Sequence, residues 1–474
     1  MRFWIPAAVG AYFLFFFHLT GIGMIGPDEP RYAWIGREMA RSGDWVTPRL
    51  WGEPWFEKPA LPYWMTAGAF RLGLGDDWAP RLPVACLSVA FLAFFYWRMQ
   101  VEFGVRAAGY GSTVLATSAG WVAYSHAAVF DLPLAATFGA AMLGFLAWME
   151  RRDERWLLFF AAFLGMSMLA KGLVGPVLGG LAVLCFGSRA VRDVARPGPA
   201  LAFVAVAAPW YALCYARNGR VFLEEFFWKH HVTRFVAGEL EHNQPVWFFL
   251  PVLAVGLLPW TPLVAALGWA DLWRDRRVRF LGVWAAVTVV FFSISRDKLP
   301  AYVLPAVPAI AALAGVALVR EARLRFVLPL AAMTLGLMPV AAAILPEALD
   351  TGLWRALEHA HFPAFSLAGG IAAALIVWAL ERAGRRLAAF VLVALAAVAG
   401  YTWIEQSAFP AIDRRAGART LWQKAQEHRG RVCVGDVPRG IAYGLNYYAG
   451  RPLPECEEQP QPYRIEDGEI RFDF

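Results

Sequence analysis

The side chains with chemistry to offer gather in one densely charged passage, residues 28–81, of an otherwise apolar chain. Asp28 and Glu29 stand side by side, Arg31 follows, and Glu57-Lys58 precede Pro59. Acids and an acid–base pair at predicted helix starts sit where backbone N–H groups also attract anions. A carboxylate there can take a proton from a hydroxyl or orient it, help worth roughly 10²–10⁴ in rate. A lysine is a compact charge able to hold a leaving phosphate. That combination suits a phosphate-bearing lipid. The competing readings are a helix cap at Asp28 and a surface ion pair of small consequence at Glu57 and Lys58.

The elements that must hold these groups follow from spacing. Asp28 can cap the next turn, Pro30 suits a first helical position, and Tyr32, Ile35, Gly36 and Met39 fall at helical intervals until Gly43 ends the run. The other face carries Arg31, Trp34, Arg37, Glu38 and Arg41, which predicts a short helix lying flat in the membrane interface. A second short segment opens at Glu57-Lys58-Pro59 and carries Tyr63, Trp64 and Met65.

The rest of the chain is scaffold. Its 474 residues are 59% hydrophobic and 17% charged, with 22 Trp, 35 Phe and a mean hydropathy of +0.46, values that exclude an ordinary soluble protein. The net charge of +7 does not indicate nucleic acid, because the arginines cluster in short gaps between apolar runs, where they set topology. Apolar segments run from the start to 25, then 82–99, 107–125, 132–149, 156–170, 173–187, 198–216, 246–273, 280–295, 300–319, 326–345, 364–381 and 387–405. These predict an all-α polytopic membrane protein of about thirteen transmembrane helices. The first run leads into no small-residue cleavage site and reads as an uncleaved helix with a cytoplasmic N-terminus. Counting from there, the arginine-bearing gaps near 98–106, 151–155, 189–196, 274–279, 320–325 and 382–386 fall inside, and the first loop (26–81) and the tail fall outside. The chain divides into a membrane domain, 1–405, and a small α/β tail, 406–474, whose Cys433 and Cys456 are predicted to pair.

Four further constellations share the outer side. His126 and Asp131 bound a tight turn in which Asp131 either caps the next helix or acts chemically. Lys171 interrupts an apolar stretch and either snorkels or meets a partner, since an unpaired buried ammonium is costly. In an amphipathic segment around 224–235, His231 and Arg234 share a face, whereas adjacent His230 and His231 cannot both meet one ligand. Lys298 and Tyr302 lie in a short hairpin, where an interfacial lysine and an aromatic anchor would explain either residue but not the whole string.

The order D-E-x-R-Y, G-D-W-x-x-P-R-L, F-E-K-P-x-L-x-Y-W and A-x-R-L-P within one loop resembles the aminoarabinose-transferase and protein-mannosyltransferase-like branch of the GT-C glycosyltransferases. The resemblance is densest over 28–83, recurs in patches to about 305, and fades beyond. It implies a GT-C-like fold in the bacterial inner membrane with the site facing the periplasm. It also implies a catalytic set of Asp28, Asp131 and Glu29, with the first-loop Asp essential, and a donor-phosphate set of Lys58, Arg234, Lys298, Tyr302, Lys171 and Arg31. Pro30 departs from the small or polar residue often found at that place. A metal held by Glu57 and His231 would be an incomplete site needing further ligands.

The function so implied is transfer of a sugar, aminoarabinose-like or other, from undecaprenyl phosphate to lipid A or another glycolipid. No nucleotide and no obligatory cofactor are needed, because a lipid phosphate can leave once cations stabilise it. One alternative is a protein O-mannosyltransferase-like activity on a Ser or Thr hydroxyl. Another, from a different class, is a lipid-linked sugar transporter or flippase. Transporters place ionisable groups near mid-membrane and often show repeats, whereas here such groups share one face and no repeat is evident.

Overall fold

Inside hydrocarbon every backbone N–H and C=O must find its partner within the segment, so long apolar runs become helices. The computed structural model describes residues 4–226, 228, 244–268, 270–320, 325–361, 363–428, 430–466 and 468–472. Among these, eight helices are long and apolar enough to cross a bilayer: Trp78–Phe103, Asp131–Arg151, Pro197–Phe226, Arg276–Ile294, Pro300–Arg320, Val327–Asp350, Ala364–Arg382 and Arg386–Arg415. The chain is thus a mostly helical, multi-pass membrane protein.

The other predicted segments fall on shorter or interrupted helices. The run 107–125 divides into Val105–Ala116 and Ala119–Ser125. At the break, the hydroxyls of Thr117 and Ser118 bond back to the carbonyls of Thr113 and Val114, each at 2.6 Å, a pattern that bends helices. The run 246–273 carries Pro251, Pro259 and Pro262, each lacking a donor, and resolves into Phe249–Gly256 and 3₁₀ stretches.

Asp131–Arg151 is the central helix, buried throughout 132–149. Large apolar side chains such as Leu201, Ile294, Leu367 and Leu387 point outward, as lipid-facing residues must.

The loop helix Asp28–Ser42 departs from the expected interfacial placement. Arg31, Trp34 and Arg37 are buried with the apolar face, because the helix lies between a second loop helix, Leu61–Arg71, and a helix from the tail, Arg439–Ala449. Contact with the second loop helix is close enough that a Cβ on Gly36 would stand 2.5 Å from Thr66 Cγ2.

The tail has its own small core, including Leu421, Trp422, Val432, Leu445 and Ile465. Strand Val432–Val434 pairs in parallel with Tyr463–Glu466, which pairs antiparallel with Glu469–Phe472. The tail helix supplies the crossover that a parallel pair requires. A disulfide joins Cys433 to Cys456 with an S–S distance of 2.11 Å. The helix preceding the tail runs to Arg415, past the predicted boundary at 405.

Candidate functional site

Asp28 is the first residue of the loop helix, and Pro27 holds the N-cap position with no side-chain cap. The cap reading of Asp28 therefore fails: its half-exposed carboxylate turns to Arg31 one helical turn on. Arg31 Nε donates to the Pro27 carbonyl at 2.9 Å, and Nη1 donates to Glu57 Oε2 at 3.3 Å. Lys58 Nζ lies 3.1 Å from Glu57 Oε1. Burial works against the charge of Arg31, but the Glu57 and Asp28 carboxylates outweigh it and hold its pKa above the ordinary arginine value. Two acids and two cations thus alternate in one patch, with Asp28 at the accessible edge.

Glu29 does different work. One carboxylate oxygen accepts from Arg81 Nε at 2.7 Å and from the Ala128 amide at 2.9 Å; the other accepts from Arg81 Nη2 at 2.7 Å and from the Ile25 amide at 3.1 Å. Both groups are buried, so this is a saturated internal pair tying the loop helix to the Trp78–Phe103 helix and to the turn before Asp131. With no lone pair spare, Glu29 positions its neighbours instead of touching a substrate. Arg81, the arginine of A-x-R-L-P, also caps the Gly23 carbonyl at 2.8 Å.

A second cluster forms at the start of the central helix. Asp131 pairs with Lys171, which closes the Glu154–Lys171 helix, and Lys171 Nζ lies 4.8 Å from the Tyr302 ring centre. The partner reading of Lys171 holds over the snorkelling one. Three aromatic rings bridge the two clusters: Phe130 stands 4.5 Å from Tyr32 and 5.1 Å from Tyr63. Burial pushes the Tyr32 and Tyr63 phenols well above their ordinary pKa, so both remain neutral donors, and Tyr63 Oη meets no acceptor among the described residues.

Lys298 is buried, and its ammonium donates to the carbonyls of Ser295 and, at 2.9 Å, Gln244. Tyr302 follows in the 3₁₀ turn Pro300–Ala306, against Phe292. His126 turns to other partners: its Nδ1 lies 3.0 Å from the Val122 carbonyl, its Nε2 lies 3.5 Å from Glu405, and burial lowers its pKa. His230, His231 and Arg234 lie outside the described residues.

Of the two expected metal ligands, His231 lies outside the described residues and Glu57 is paired with cations. Both Glu57 oxygens face cations, and among the described residues no three His, Cys, Asp or Glu side chains converge.

Sequence reasoning missed Arg81 as the partner of Glu29, and it missed the tail's contribution. Tyr443, Tyr447 and Tyr448 of the tail helix lie against the loop helix, with the Tyr443 ring centre 5.5 Å from the Arg31 guanidinium. Three tyrosines at helical spacing were the available signal.

A family model described as dolichyl-phosphate-mannose-protein mannosyltransferase matches residues 57–213. The undecaprenyl phosphate-alpha-4-amino-4-deoxy-L-arabinose arabinosyl transferase of Yersinia enterocolitica is 32% identical over 299 residues, covering 58% of this chain and 52% of that protein. Its counterpart in Serratia proteamaculans is 32% identical over 302 residues, covering 60% and 53%. The chain therefore spans about half the length of the curated relatives it matches. The crystal structure of ArnT from Cupriavidus metallidurans bound to undecaprenyl phosphate superposes with a TM-score of 0.77 at 28% identity, covering 95% of this chain and 85% of that one. Over nearly its whole length the chain is a multi-pass membrane protein similar in fold to ArnT.

Proposed function

We propose that this protein transfers a sugar from undecaprenyl phosphate to an acceptor at the periplasmic face of the bacterial inner membrane, through a membrane domain of about thirteen crossings. The observation that carries the reading is the gathering of Lys58 and Arg31 beside a half-exposed Asp28, in a fold shared with a protein whose crystal structure holds undecaprenyl phosphate.

In the reaction, the bond between the anomeric carbon and the phosphate oxygen breaks, and the acceptor oxygen bonds to that carbon. Undecaprenyl phosphate leaves with the electron pair. Negative charge grows on the leaving phosphate, and Lys58 and Arg31 stabilise it more in the transition state than before. Asp28 takes the proton of a hydroxyl acceptor; a phosphate acceptor is already ionised and needs only orientation. Asp131 and Lys171 form the second charged wall, with Tyr302 over the ammonium and Lys298 and Arg234 completing the donor-phosphate set. Glu57, with one oxygen toward Arg31 and the other toward Lys58, spaces the two cations.

The acceptor is a glycolipid such as lipid A, in keeping with the relatives named for aminoarabinose transfer. The family model over 57–213 favours a second reading, a Ser or Thr hydroxyl on a protein. Mass spectrometry of lipid and protein extracts from wild-type and deletion strains separates the two. A sugar mass missing from a glycolipid supports the first reading, one missing from a glycoprotein supports the second, and no missing sugar contradicts transfer altogether.

A further inference from the structure

We infer that the C-terminal unit is a working part of the site: Tyr443 fixes the plane of the Arg31 guanidinium, and Gly440 braces the turn that presents Asp28. The activity arm of this inference rests on the transfer reading above; its structural arm does not.

Arg31 is the hinge of the charged patch, since it meets both Asp28 and Glu57. Hydrogen bonds to the Pro27 carbonyl, Glu57 and Asp28 grip the edge of the guanidinium and leave its two faces free. Rings close that freedom: Tyr32, Trp55 and Tyr443 stand 5.8, 5.5 and 5.5 Å from the guanidinium carbon. Tyr32 and Trp55 belong to the same loop as Arg31. Tyr443 arrives from the far end of the chain and is itself pinned, with its ring 5.2 Å from that of Trp51 and its hydroxyl accepting from Arg439 Nε at 2.9 Å. A ring held from outside the loop registers Arg31 against the tail as well as against its own helix. A guanidinium within about 6 Å of an aromatic face is attracted to it, and the attraction grows when the pair is shielded from water.

The same helix abuts the turn before Asp28. A Cβ on Gly440 would lie 2.9–3.2 Å from the backbone atoms of Gly26, which has a positive φ of 65°. Backbone cannot yield as a flexible side chain can, so any side chain at 440 displaces either the tail helix or the turn. Adjacent contacts hold the two together: the Met24 amide donates to Tyr448 Oη at 2.8 Å, Tyr448 Oη donates to Asp77 at 2.6 Å, and Arg37 Nη2 donates to the Tyr447 carbonyl at 2.7 Å. Ile25 also bridges to Gly417, and the Gly23 amide donates to Asp413. The strand of chain that leads into the loop helix is thereby clamped along its length by the tail.

The test compares full-length wild type with Tyr443→Phe, Tyr443→Leu and Gly440→Ala. It reads single-turnover transfer from an undecaprenyl-phosphate-linked sugar, donor affinity, and hydrogen exchange of residues 24–32. Phenylalanine keeps the ring and should stay within threefold of wild type. Leucine keeps much of the volume but loses the ring, and should slow turnover about tenfold at unchanged donor affinity, equivalent to about 1.4 kcal/mol. Gly440→Ala should speed exchange over 24–32. A purely structural tail would not separate Phe from Leu, so equal rates for those two variants overturn the role of Tyr443. Wild-type exchange in Gly440→Ala overturns the brace, and that variant carries the test should Tyr443→Leu not fold. Should wild type transfer no sugar at all, the transfer reading fails while the exchange arm still decides the clamp: protection unchanged in Tyr443→Leu and Gly440→Ala overturns it, and lost protection supports it.

Discussion

Arg31 and Glu57 meet at 3.3 Å across a loop of 26 residues, and the second oxygen of Glu57 lies 3.1 Å from the ammonium of Lys58. One carboxylate thus spaces two cations that would otherwise repel, and it keeps both beside Asp28. Without Glu57 both positive charges remain, Arg31 still held by Asp28 and the Pro27 carbonyl, whereas removing a cation takes a donor from the proposed leaving phosphate.

Lys58→Ala should therefore slow sugar transfer about a hundredfold, on the order of 3 kcal/mol. An exposed ion pair would cost on the order of 0–1 kcal/mol. Single-turnover rates separate the two, and a Lys58→Ala protein within threefold of wild type would return the lysine to surface charge. Glu57→Ala should not match the loss, and a chelator should leave wild-type rates unchanged.

Glu29→Ala should act on stability. Removing one partner of a buried pair strands the other charge, at a cost on the order of 3–5 kcal/mol. Thermal unfolding in detergent should show a lower midpoint. A variant that melts with wild type yet transfers no sugar would make Glu29 catalytic after all.

The Cys433–Cys456 disulfide closes a loop with a sequence separation of 23, for which chain-entropy arguments give roughly 3 kcal/mol. Cys456→Ser should loosen the tail, seen as faster hydrogen exchange over 432–466. Alkylation of native protein before reduction should modify neither tail cysteine; modification of both would contradict the bond.

Impermeant thiol reagents should reach cysteines placed at the exposed positions Glu53 and Glu457 from the periplasmic side, and at Arg276 and Arg385 only from the cytoplasm. Cytoplasmic labelling at 457 would overturn the topology.

Much of the site was legible because its charges are out of place. Lys171 interrupts an apolar run, Lys298 sits in a hairpin between spans, and Asp28 opens a helix, so each stands out against a chain of hydrocarbon. Partnership across long separations was not legible. Glu29 looks as able as Asp28 until Arg81 is found on it, and nothing local distinguishes the acid that is saturated from the one half exposed. The loop helix has the pattern of an interfacial element, and only the tail helix, some four hundred residues on, converts its Arg31 and Arg37 face into an interior. The segment breaks at Thr117 and Ser118 were also hidden, because hydroxyls that bond back to the helix leave hydropathy unchanged.

The most direct test is single-turnover transfer from a synthetic undecaprenyl-phosphate-linked sugar by purified wild type and Asp28→Asn, with lipid A and an unmodified protein acceptor offered in parallel. The substitution keeps volume and removes the charge, and the loop helix does not depend on Asp28 for its cap. Wild type should release undecaprenyl phosphate and glycosylate one acceptor, and Asp28→Asn should bind the donor normally while transferring at least a hundredfold more slowly, within the range expected for loss of a general base. Release of no undecaprenyl phosphate by wild type, or wild-type turnover by Asp28→Asn, would contradict the assignment.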